Sequence, residues 1–142
     1  MIGRPMAPSP PAFAALLSEL PEKSRPIFCR LAASMPPGIT PTTLRALLDD
    51  HLRDVREASR SNTSIAVELA QHVAEACRAA LRSWPALDPD ARRVLTAAVN
   101  YFALRRDSSD DFAAPTGFED DARVVNAVLA WIGRSDLRVE LV

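Results

Sequence analysis

Two groups of residues in this chain have the types and spacing that could do chemistry. The first is the stretch DSSDDFAAPTGFEDD at positions 107–121, where six of fifteen residues are Asp or Glu around a Pro-Thr-Gly turn. Mg²⁺ and Ca²⁺ bind clustered oxygen ligands, and Asp110, Asp111, Asp120 and Asp121 would supply four carboxylates if the loop doubles back. The spacing is not that of an EF-hand loop. The same residues have a structural use. Acids in a first helical turn accept from free backbone N–H groups and oppose the helix dipole, at about 0.3–1 kcal/mol each. Pro115 stiffens the approach, Gly117 permits a positive φ, and Phe118 can fold back against the helix as a hydrophobic staple. The helix-opening reading is preferred, with Mg²⁺ or Ca²⁺ as the alternative.

The second group contains the only two histidines, His51 and His72. A turn centred between residues 61 and 62 leaves them equidistant from it, able to face each other across a helical hairpin. Glu68 and Glu75 lie four before and three after His72, on its face of a helix. This pattern is similar to carboxylate–histidine sites in bundles, but it lacks the second Glu-x-x-His of a di-iron centre. A hydrogen-bonded structural histidine is the preferred reading. Cys29 and Cys77 are isolated, in no CxxC or Cys/His cluster, and read as buried thiols rather than zinc ligands, a disulfide or nucleophiles. No Gly-x-Ser-x-Gly elbow is present. Asn100 and Asn126 sit beside apolar stripes, where they either pair across an interface or face water.

These residues need elements to position them. Residues 1–11 form a Pro-rich tail expected to be mobile. Residues 12–20 carry Phe13, Leu16, Leu17 and Leu20 at helical spacing. Pro21 can open a second helix whose inner side is Ile27, Phe28, Leu31 and Cys29, with Pro26 tolerated or delaying the start by a turn. MPPG at 35–38 ends it. Thr40-Pro41 is an N-cap followed by Pro at the first helical position, leading into Leu44, Leu47, Leu48, His51, Leu52 and Val55. Asp49–Arg53 and Arg53–Glu57 lie four apart on its outer face. The polar run at 59–64 separates this stripe from Leu69, Val73, Ala76 and Ala80. Two antiparallel helices are favoured over one long bent helix. Asp88-Pro89-Asp90 opens a helix with Val94, Leu95, Val99 and Phe102 inward, closed by Arg105 and Arg106. The last helix runs over about 119–132, with Val125, Val128, Leu129 and Ile132 in register and Gly133 as its C-terminal cap. The tail at 135–142 alternates Leu137, Val139 and Leu141, either lying extended on the core or open to a partner. No run reads as a strand. The expected fold is all-α, a compact single-domain bundle of about five to six helices over 12–134.

Residues 92–134 resemble the YkvA-like (DUF1232) family of small helical proteins. The resemblance is carried by Asp110-Asp111, Pro115, Gly117-Phe118 and Asp120-Asp121 leading into ARVVNAVLAWIG, with Tyr101-Phe102 in the preceding helix. It implies a helical fold and brings no established reaction.

Composition bounds the function. The chain has 142 residues, 48% apolar and 25% charged, long enough for one domain with a real core. Its net charge of −1 gives no electrostatic case for nucleic-acid binding. No apolar run approaches the ~20 residues of a spanning helix, and no signal peptide is visible. A cytoplasmic location without a membrane span follows as the expectation. No catalytic or cofactor-binding residue stands out. The expected function is a non-enzymatic interaction module with a protein partner, and the alternative is a divalent-cation-dependent enzyme or sensor built on 107–121.

Overall fold

A computed structural model describes residues 10–36, 38–61, 66–103 and 117–140. The described residues form six α-helices: α1 (Pro10–Glu19), α2 (Arg25–Ala33), α3 (Pro41–Ser59), α4 (Val67–Leu81), α5 (Pro89–Ala103) and α6 (Gly117–Trp131). Three short 3₁₀ turns at Glu22–Ser24, Trp84–Ala86 and Ser135–Leu137 complete it, and no strand occurs among the described residues. The expected all-α bundle is the fold. None of these helices is long and apolar enough to cross a membrane.

Local signals fix the helix ends. Thr40 Oγ1 accepts from the backbone N–H of Thr43, and Asp88 Oδ1 from that of Ala91, so both expected N-caps form. At the far end of α6, Gly133 has φ +84°. The N–H of Arg134 bonds to the carbonyl of Leu129 and the N–H of Gly133 to that of Ala130. This is a Schellman closure, which places glycine where a β-carbon would be strained. Two starts differ from expectation. α1 begins at Pro10, since prolines fit a first turn that needs no N–H partners, and residues 1–9 of the expected tail lie outside the described residues. Pro26 delays α2: a 3₁₀ turn follows Pro21, and the α-helix opens at Arg25 with the proline in its first turn.

α5 is the central helix. Val94, Leu95, Ala98, Val99, Tyr101 and Phe102 are all buried, and α6 lies along it with Val125, Val128 and Leu129 buried and Ile132 half-buried. The expected packing of the last two helices is therefore present. Tyr101 Oη and Ser24 Oγ share a buried hydrogen bond of 2.6 Å, pinning the turn before α2 onto α5. α3 and α4 are separate helices, with residues 62–65 outside the described residues. Asp49 pairs with Arg78 of α4 rather than with Arg53, and Arg53 reaches Asp50 at 3.1 Å instead. The helix-to-helix partner wins because α4 lies alongside that face of α3.

Candidate interaction surface

Between α2, α3 and α5 lies a cleft of about 430 Å³. Leu31 of α2, Met35 and Ile39 of the connecting segment, and Leu47 of α3 line it, each partly buried against the core. Its edge carries Thr43, Asp50 and Asn100. Their helical stripes explain the arrangement. Leu44 and Leu48 point straight into the core, whereas Leu31 and Leu47 sit at the border of their stripes, where the neighbouring helix no longer covers them. Met35, Pro36 and Ile39 form a ridge with a second cleft of about 420 Å³ on its other side, bordered by Trp84, Arg92 and Arg93. Arg92 stacks over the Trp84 ring at 5.3 Å and donates from Nε to the Trp84 carbonyl at 3.0 Å. Arg93 donates to the carbonyl of Ala32 at 3.0 Å, tying α5 to the end of α2.

Two clusters singled out in the sequence resolve differently. His51 is buried against Phe102, with ring centroids 4.8 Å apart and edge-on, and near Phe118 at 6.4 Å. His72 is exposed and lies beside the C-terminal segment with Glu75. The two histidines do not face each other: the α3 stripe turns His51 inward toward α5 and α6, while His72 lies on the outer side of α4. Among the described residues, no three His, Cys, Asp or Glu side chains come together as a metal site.

Of the acidic stretch, residues 107–116 lie outside the described residues, and with them Asp110, Asp111 and Pro115 of the proposed loop. The remainder is the start of α6. Gly117 is its first residue rather than part of a turn ahead of it, and Phe118 is fully buried among the core aromatics. Because the helix begins two residues early, the Asp120-Asp121 pair is split by environment. Asp120 remains in the first turn, 3.6 Å from the Nζ of Lys23. Asp121 falls beyond that turn and is fully buried, close enough to Cys77 for its charge to act on the thiol. Millimolar Mg²⁺ or Ca²⁺ is expected to leave the melting temperature unchanged, because these adjacent carboxylates are committed to different surroundings. A cation-dependent rise, lost on Asp110→Asn, would reverse that expectation.

Asn100 and Asn126 do not pair. Asn100 Nδ2 donates to the Thr96 carbonyl within its own helix at 2.9 Å, and Asn126 binds the backbone of Val139. The cleft itself went unnoticed in the sequence, where MPPG read only as a stop. Its one signal is that Met35, which opens that stop, and Ile39, which follows it, are apolar in a segment too short to bury them. No family model, curated protein or solved structure matches the chain.

Proposed function

We propose that this chain is a non-enzymatic, cytoplasmic protein-interaction module, and that the cleft between α2, α3 and α5 is its docking face. The observation that carries this reading is the convergence of Leu31, Met35, Ile39 and Leu47, none of them fully buried, in one cleft of about 430 Å³. An apolar floor with a polar edge is what an amphipathic helix of a partner requires. Its anchors would cover side chains that the bundle leaves in water, at about 25 cal/mol per Å² of apolar surface removed. Kinship with the YkvA-like family belongs to the same proposal, since α5 precedes the acidic stretch and α6 opens within it and packs along α5.

A photo-crosslinking residue at Ala46, on the exposed border of the cleft, tests it. The expected result is capture of a defined partner protein in cells, abolished by Leu47→Asp and retained with Arg56→Glu on the exposed face of α3. Leu47 is partly buried against the core, so the substitution should cost about 1–3 kcal/mol, and circular dichroism checks that the variant keeps its helices. Equal capture by the Leu47→Asp protein would show that the partner binds elsewhere.

A further inference from the structure

The segment that follows α6 is held by a side chain of that helix. Asn126 of α6 makes two hydrogen bonds to a single residue of that segment. Its Nδ2 donates to the Val139 carbonyl at 2.9 Å, and its Oδ1 accepts from the Val139 N–H at 2.7 Å. An amide side chain used in this way stands in for a neighbouring strand: it reads extended backbone and is indifferent to side-chain identity. Within residues 138–140, side-chain choice enters at Val139. Val139 is buried to 5% exposure, while Arg138 and Glu140 on either side are exposed. Main-chain hydrogen bonds with a pocket for one alternate side chain are how extended peptides are recognised.

The slot is also roomier than its occupant. A cleft of about 360 Å³ lies between the segment and α4, lined there by His72, Glu75, Ala76 and Ala79. The alanines keep the α4 wall low. Upstream, Arg134 forks onto Asp136 with two 3.0 Å hydrogen bonds and donates to Ser83 Oγ, which fixes the exit from α6. The grip on 138–140 is thus separate from the grip on the exit.

We propose that the slot between α4 and α6 is a second recognition site, for an extended segment of a partner protein presenting a β-branched apolar side chain opposite Asn126. The chain's own residues 138–140 occupy it in cis as a tethered competitor. The occupant seen in the structure defines the partner's chemistry: bare extended backbone, one buried valine-like side chain, charged neighbours in solvent. Tethering gives the internal segment an effective concentration on the order of millimolar, so an external segment binds weakly until the internal one is released. This site is distinct from the α2–α3–α5 cleft and does not depend on it.

The probe is a fluorescent, end-capped peptide of residues 134–140, RSDLRVE, titrated against full-length protein. In the V139D chain the internal segment loses its buried side chain and should vacate the slot. The expected result is peptide binding at least ~10-fold tighter than to the wild-type chain. That gain should vanish in the Asn126→Ala, V139D double variant, and when the peptide itself carries Asp in place of its valine. Circular dichroism checks that each variant retains its helices, and Val139→Ser provides a milder opening should V139D not fold. A folded, opened chain that binds the peptide no better than wild type overturns the proposal. So does undiminished binding after loss of the Asn126 amide.

Discussion

Replacing Phe102 with alanine is expected to lower stability by about 3–5 kcal/mol, the range for emptying a buried aromatic site. Phe102 is fully buried on the central helix and meets two other rings. His51 of α3 is edge-on at 4.8 Å between centroids, and Phe118 of α6 is tilted at 6.2 Å. One side chain therefore links three helices, and its removal forfeits both ring contacts in addition to the transferred area. Other residues of the same core cluster, such as Val99 and Leu129, are held by their helices and cannot collapse fully into the space. For a domain of this size the loss corresponds to a melting temperature roughly 10–20 °C lower. Thermal melts followed at the helical circular-dichroism signal check it. Phe102→Leu, which retains most of the volume, should recover much of the difference. A Phe102→Ala protein that melts with wild type would show that the three rings do not hold α3, α5 and α6 together.

The same residue shows what was legible in the sequence. Phe102 falls on a stripe with Val94, Leu95 and Val99, and a stripe is a local pattern that a single helix imposes. Caps are equally local, which is why Thr40, Asp88 and Gly133 perform the roles their types announce. Pairings across helices are another matter. Asp49 has Arg53 one turn away on its own helix but takes Arg78, because the choice depends on how α4 lies against α3. Asn126 was a candidate partner for Asn100, yet the nearer backbone is that of Val139, reached only because the chain reverses after Gly133. The candidate cleft was hidden for a related reason. Leu31 and Leu47 look like core residues in any helical projection, and only the spacing between helices leaves them partly in water. Asp121 was misplaced by a shift of two residues in the start of α6, enough to carry a carboxylate from a helix end into the core.

That carboxylate lies near a thiol whose titration should be visible in the stability of the whole fold. Cys77 is fully buried, and burial pushes its pKa from an ordinary 9.0 up to about 12, with the charge of Asp121 adding to the rise and Arg78 opposing it. The unfolded chain releases the Cys77 proton near its ordinary value, whereas the folded chain holds it to about 12. Between those limits the unfolded state binds fewer protons, so stability must fall as pH rises, by up to about 1.4 kcal/mol per pH unit. Below the lower limit the contribution is fully present. Urea unfolding at about pH 8 and about pH 10.5 should show the wild type losing roughly 2 kcal/mol more than Cys77→Ala over that interval. Tyr101 is present in both proteins, so the difference between them isolates the thiol. The same burial predicts the alkylation pattern, since only an accessible thiolate reacts. Cys29, expected to be buried, is only partly so and should be modified by iodoacetamide in the native protein, whereas Cys77, buried as expected, should react only at the rate of unfolding. Parallel pH dependence of the two proteins, or rapid native alkylation of Cys77, would mean that water reaches the thiol at the interface of α4 and α6.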